Sequence, residues 1–519
     1  MIAWLLILLA CSQPSAPSVD AVPAHGRACQ ATGPDVVIIS IDTTRADRLG
    51  FSGHPGASTP RIDALATRGR VYANAIAPVP RTTPALASVM TGLAPHHHGA
   101  REVGEKMLAP LPLASLLTQA GWRAVGISAM PVAGPDQHMD RGFDHFEVHY
   151  DAPAPQLAET ALRRSAEIDR SCPLFLWTHF ADPHFPYTPP AAFKPAGDTA
   201  RCEAVAAKAA AGKLARYRYF GDRDGRSRAI KDQCAQLYDG EIAFADHGVG
   251  RLLDGLAALG RTDPIVIFTA DHGENLGEWG LYFEHGPNAH DASVRVPLIL
   301  AGPGVDAGKV DIPVTLEDIA PTVLALTGIE RPESLQFDGQ SLLSPPEERR
   351  SVVRGESGSA LHARLTGNLV AGRKDRLHCI HGERFSLCDH PKKRRRLFDR
   401  TVDPDLREDV SSSHPAQVQA LGTAWEAWPV ERTRQRFVRT STHVLVATPQ
   451  LDGTYTNRLY NHQTDPTLST DVATAHSDVM AELMKELEIW HGSLDRANTA
   501  PPTHAIDQEN ALRSLGYIE

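Results

Sequence analysis

VVIISIDTTR, residues 36–45, is an apolar run broken only by Ser40 and closed by an aspartate. A strand covered on one face alternates apolar and polar residues, whereas a strand covered on both reads as a continuous apolar run. Later stretches repeat the continuous pattern: RAVGIS at 123–128, LFLWTHF at 174–180, IVIFTA at 265–270 and VPLILA at 296–301. Amphipathic segments separate them. The clearest is Gln236–Leu259, where Leu237, Ala245, Val249, Leu252 and Leu256 fall near one helical face. Buried strands alternating with helices predict an α/β fold, with a large mostly parallel or mixed sheet flanked by helices. The 519 residues leave room for this domain, 34–345, and for a small C-terminal α+β subdomain, 346–490.

In open α/β sheets, ligands bind beyond the carboxyl ends of the strands. The runs ending at Ile41, Phe180 and Ala270 are followed by Asp42-Thr43-Thr44-Arg45, Ala181-Asp182-Pro183-His184 and Asp271-His272-Gly273-Glu274. A lone aspartate at such a place usually caps a turn; carboxylates and imidazoles gathered at one sheet edge predict a metal site. Asp42, Asp271 and His272 supply two carboxylates and an imidazole, and a hydroxyl would complete the set. Mixed oxygen and nitrogen ligands suit Zn²⁺ or Mn²⁺, with Ca²⁺ the alternative where oxygen dominates. Asp-His-Gly recurs at 246–248 within the amphipathic segment, away from any strand end, and is expected to be structural.

The stretch RTTPALASVMTGLAPHHHG, residues 81–99, reads as a loop entering a helix. Thr83 and Pro84 fit an N-cap and first helical position, which leaves Thr82 just outside. Free amides and the positive helix end favour a phosphate or sulfate there. A hydroxyl at that point beside a divalent cation can attack a tetrahedral ester.

The N-terminus, MIAWLLILLAC, is too short to span a bilayer as a helix and fits a secretory signal. Its ending resembles a bacterial lipobox, with Cys11 as the lipidated residue, although no Lys or Arg precedes the run. The expected order is a lipoprotein-type signal at 1–11, a flexible tether at 12–33, the two folded parts, and a tail at 491–519. Export to the cell envelope, with a lipid anchor as the only membrane contact, makes disulfides available to Cys29, Cys172, Cys202, Cys234, Cys379 and Cys388. Cys379 and Cys388 could close a hairpin, and Cys29 and Cys172 could bridge neighbouring strands; connectivity stays open. Within the C-terminal part, RLFDRTVDPDLREDVSSSH from Arg396 is echoed by RLYNHQTDPTLSTDVATAH from Arg458, offset by 62 residues. A net charge of −10 argues against nucleic-acid binding.

VVIISIDTTRADRLG, RTTPALASVMTGLAPHHHG, ADPHFPYTPP, FTADHGENLGEWGLYFEHG, RVPLILAGPG and LEDIAPTVLALTGI together resemble the sulfatase family of the alkaline phosphatase superfamily, in family order. The resemblance implies an ester hydrolase with Asp42, Asp271 and His272 on the metal and His184 beside the substrate ester. It also exposes departures. Thr82 stands where sulfatases carry the Cys or Ser that becomes formylglycine, and Leu86 stands at the motif arginine. Threonine cannot become formylglycine. The set Asp42, Thr82, Asp271 and His272 is instead similar to phosphoethanolamine transferases and lipoteichoic-acid synthases, in which a metal-bound threonine attacks phosphorus. Their histidines matching His184 and His285 can hold a second metal.

The expectation is therefore a metal-dependent hydrolase of anionic phosphate or sulfate esters. Thr82 is its nucleophile, His184 or His285 protonates the leaving group, and Arg45, His98 and Arg101 contact the anion. The alternatives are a phospho-group transferase on envelope glycan or lipid and a non-catalytic binding lipoprotein.

Overall fold

The computed structural model describes residues 29, 31–210, 226–278, 282–286, 288–358, 378–381, 385–390, 393–399, 409–419, 434–449 and 454–494. The signal and lipidation site at Cys11, most of the tether, Trp279 and residues 495–519 lie outside them.

The expected runs form the centre of an eight-stranded sheet. In chain order its strands are β1 (Val36–Ile41), β2 (Arg70–Tyr72), β3 (Arg123–Ser128), β4 (His145–Val148), β5 (Leu174–Phe180), β6 (Ile265–Ala270), β7 (Leu298–Ala301) and β8 (Gly308–Val310). Across the sheet they run β8-β2-β7-β6-β1-β5-β3-β4. All pairs are parallel except those of β7, which is antiparallel to both β6 and β2. β1, β3, β5 and β6 are buried at every residue, which is why they lack alternation.

Helices cover the sheet: α1 (Pro60–Arg68), α2 (Thr82–Thr91), α3 (Pro95–His98), α4 (Leu113–Gln119), α5 (Ala154–Ala166), α6 (Ala200–Ala210) and α7 (Arg226–Ala258) among them. In α7 the five predicted apolar positions are all buried, and the helix packs against α5. The second Asp-His-Gly lies on α7. Asp246 accepts the Arg61 and Ile62 amides at 3.1 and 2.8 Å, so it caps α1 from a neighbouring helix.

The C-terminal part is antiparallel. Strands Val353–Glu356, Arg436–Arg439, His443–Pro449 and Tyr455–Asn461 form one sheet, against which helix Ser477–Leu494 packs Leu483, Leu487 and Trp490. A smaller sheet joins His378–His381, Phe385–His390 and Lys393–Asp399. The sequence echo is a structural one. Leu397 N–H bonds Asp409 Oδ1 and Val410 N–H bonds the Leu397 carbonyl, and the same pair of bonds joins Leu459, Asp471 and Val472.

Disulfides join Cys29 to Cys172, beside the start of β5, and Cys202 to Cys234, tying α6 to α7. Cys379 faces Cys388 across antiparallel strands; their side chains are outside the description. Among the described residues, no helix is long and apolar enough to cross a membrane.

Candidate active site

The strand register sets the site. Ser40, His179 and Thr269 share one row across β5, β1 and β6, and Ile41, Phe180 and Ala270 share the next. Because side chains alternate faces, Asp42 and Asp271 follow on the His179 side. Asp42, His179 and Asp271 are fully buried, with ligand atoms within 4.8 Å of one another. Among the described residues no other group of three such ligands comes this close.

Both Asp42 carboxylate oxygens, Asp271 Oδ2 and His179 Nε2 have no hydrogen-bond partner. Burial pushes the Asp42 carboxyl well above its ordinary range, and the Asp271 and Glu274 charges push it further. Burial lowers the His179 imidazole to about 4, so it is neutral. Its Nδ1 meets Ser40 Oγ at 2.9 Å, and the Trp177 indole donates to that same oxygen. Buried acceptors that face one another without donors are costly, and the cost is relieved by protonation of a carboxyl or by a cation held between them. Two carboxylates and a neutral imidazole fit a divalent metal ion.

His272 borders this cluster. Its Nδ1 lies 2.9 Å from the Gly273 carbonyl, so that nitrogen carries the hydrogen and Nε2 presents its lone pair. Nε2 is 3.3 Å from Asp271 Oδ2, 3.7 Å from Asp42 Oδ1 and 3.3 Å from Thr82 Oγ1. Thr82 is the first residue of α2 and is fully buried; the helix starts two residues before Pro84, the expected first position. Thr83 does not cap that helix. Its hydroxyl donates to the Val132 carbonyl and accepts the Gly104 amide, pinning two loops to α2.

On the rim, His285 Nδ1 meets Glu274 Oε1 at 3.2 Å, and the His285 ring centre lies 4.3 Å from that of His272. His184 is half-buried, its Nδ1 on the Phe185 carbonyl and its ring 5.4 Å from His285. The residues predicted at the metal, the hydroxyl and the rim thus converge.

The three residues expected to contact the anion are engaged elsewhere. The Arg45 guanidinium grips Asp47 and Glu278 at 2.8 and 2.9 Å. Arg101 makes a two-pronged bond to Glu356, at 2.9 and 2.8 Å. His98 is fully buried beneath α2, with Nε2 at Ser88 Oγ and Nδ1 receiving the Ala100 amide. Tyr282 packs against the core beside Phe283.

The sulfatase profile matches residues 34–329, more than half of the chain. The chain belongs to the sulfatase family. An ulvan-active sulfatase of Formosa agariphila is 27% identical over 366 residues, 62% of this chain and 68% of that protein. An arylsulfatase of Clostridium perfringens is 26% identical over 399 residues, 62% and 80% of the two chains. In fold, the chain is similar to the phosphonate monoester hydrolase of Agrobacterium radiobacter, with a TM-score of 0.62 at 20% identity over 89% of this chain and 96% of that one. As a member of the sulfatase family the chain is an ester-hydrolysing enzyme. Two residues at its site escaped the sequence reading. His179 is hidden inside the apolar run LFLWTHF, and nothing in the local pattern marks Arg81, the residue before Thr82.

Proposed function

We propose that the chain is a metal-dependent hydrolase of phosphate or sulfate monoesters or diesters, with Thr82 as nucleophile. The observation that carries this reading is the 3.3 Å approach of Thr82 Oγ1 to His272 Nε2 at the edge of the orphaned Asp42, Asp271 and His179 ligand atoms. Asp42, Asp271 and His179 would hold the ion, with His272 adjoining. A divalent ion there supplies Lewis-acid polarisation of the ester and favours the ionised hydroxyl.

The remaining chemistry belongs to the chain's own groups. The first turn of α2 directs amides at the ester's anionic oxygens. As Thr82 Oγ1 attacks sulfur or phosphorus, His272 Nε2 takes the hydroxyl proton, held in the right tautomer by the Gly273 carbonyl. The ester oxygen departs and takes a proton from His184 or His285, the latter oriented by Glu274. Water then cleaves the threonyl ester and restores the hydroxyl, releasing the inorganic anion from a monoester substrate or the remaining monoester from a diester.

Phosphate esters are favoured over sulfate esters because threonine cannot supply formylglycine. Relatives named for ulvan and for choline sulfate span a polysaccharide and a small molecule, so the reading commits to the ester and not to its alcohol. The disulfides support an oxidising compartment, and with the apolar run before Cys11 they extend the reading to an exported, lipid-anchored protein. Parallel assays of aryl phosphate, phosphodiester and aryl sulfate, with bound metal measured on the same sample, test it. Absence of both metal and turnover would contradict it.

A further inference from the structure

Arginines buried in this protein generally meet a carboxylate: Arg45 meets Asp47, Arg101 meets Glu356, Arg261 meets Asp35, Arg349 meets Asp318 and Arg439 meets Asp291. Arg81 does not. It is 2% exposed, no acidic side chain pairs with it among the described residues, and its Nε has no hydrogen-bond partner. A guanidinium keeps its charge at any pH the protein meets, so burying it without an anion is costly unless a ligand provides one.

Its surroundings are built to hold it. Arg81 is the residue immediately before α2, and the Ala85 amide closes the first helical bond onto its carbonyl. Its side chain runs between two glycines. A Cβ at Gly286 would fall 2.1 Å from Arg81 Cζ, and one at Gly358 would fall 2.5 Å from Nε. Gly286 also has φ +99, a left-handed conformation that suits glycine. The Gly358 amide bonds the Gly286 carbonyl at 2.8 Å, so the two walls of the slot are tied together. Gly286 directly follows His285 on the rim of the site. The Arg81 charge is also felt at His272, where it adds to burial in disfavouring the imidazolium.

We propose that Arg81 is the anion-binding cation of the site, its guanidinium receiving the non-bridging oxygens of the ester's phosphate or sulfate group at the start of α2. This rests on the proposed function and names the residue that recognises the substrate's charged group. The planar fork matches two oxygens of a tetrahedral anion. The ten-residue helix behind it adds the free amides of its first turn.

The test is titration of inorganic phosphate and inorganic sulfate into the metal-loaded full chain and its R81Q and R81K variants, with metal content and Tm recorded for each. The proposal expects R81Q to retain metal and Tm while its affinity for the anion falls about 10- to 100-fold, with R81K recovering part of the loss. R81Q that binds phosphate as tightly as the wild type overturns it. Should R81Q fail to fold, wild-type protein labelled with ¹⁵N-arginine carries the test. The Nε–H resonance absent from R81K must shift on adding phosphate, and an unmoved resonance overturns the proposal. The two readings fail differently. A wild type that binds phosphate through Arg81 without hydrolysing any ester contradicts the proposed function alone. Turnover with unchanged anion affinity in R81Q contradicts the Arg81 assignment alone.

Discussion

Thr82 and His179 carry different burdens, and each makes its own prediction. Removing the Thr82 hydroxyl deletes the attacking atom without disturbing buried ligands, so Thr82→Ala should lower kcat by ~10³-fold or more and leave bound metal and Tm unchanged. Thr82→Ser, which keeps the hydroxyl, should restore most of the rate. His179 lies two rows behind the carboxylates, with Nδ1 fixed by Ser40 and Nε2 orphaned. His179→Ala should therefore weaken metal affinity by roughly 10-fold or more, read by competition with a chelator. Unchanged affinity would make His179 a packing residue. Leu86, at the position of the family's motif arginine, is fully buried in the core and offers no charge, which is why Arg81 matters at this scale.

The helices and strands were legible in the sequence to different depths. Covered strands such as VVIISI and IVIFTA announce themselves, and Asp42 and Asp271 follow from asking what stands at a strand end. His179 does not, because its facing depends on the register between β1 and β5, which no single strand records. The partners of Arg45, Arg101 and His98 were illegible for a related reason: Glu278, Glu356 and Ser88 are brought in by tertiary packing. Helix α7 carries a pH effect of its own. Burial raises the Glu241 carboxyl to about 9 from an unfolded value of 4.5, with the Asp182 and Asp151 charges adding to it. The folded chain keeps a proton that the unfolded chain releases across that window, so this group costs stability as pH rises from 4.5 to 9. Glu241→Gln keeps an acceptor for the Thr188 amide without the charge. Its Tm should fall less steeply than the wild type's over the same window. Identical slopes would contradict the buried-acid account.

At the scale of the whole molecule, the C-terminal sheet supports the loop that leads to the nucleophile. Glu356 donates its amide to the Pro78 carbonyl and takes Arg101 in a two-pronged bond, while Arg434 meets Glu102 at 2.7 Å and the Arg101 carbonyl at 3.2 Å. Against the cost of burial, Arg101 and Arg434 hold the Glu356 carboxyl below its usual range. Glu356→Ala would leave both guanidiniums buried without this partner and should cost about 3–5 kcal/mol in denaturant unfolding. A loss of ~1 kcal/mol or less, the range of an exposed pair, would contradict the view that this cluster joins the two parts. The central claim concerns the bond formed at Thr82. The most direct measurement is peptide mass spectrometry of the metal-loaded enzyme quenched during turnover of an aryl phosphate. The account predicts a phosphate adduct on Thr82 that is absent in Thr82→Ala. Undiminished turnover by Thr82→Ala, or an adduct on another residue, would contradict it.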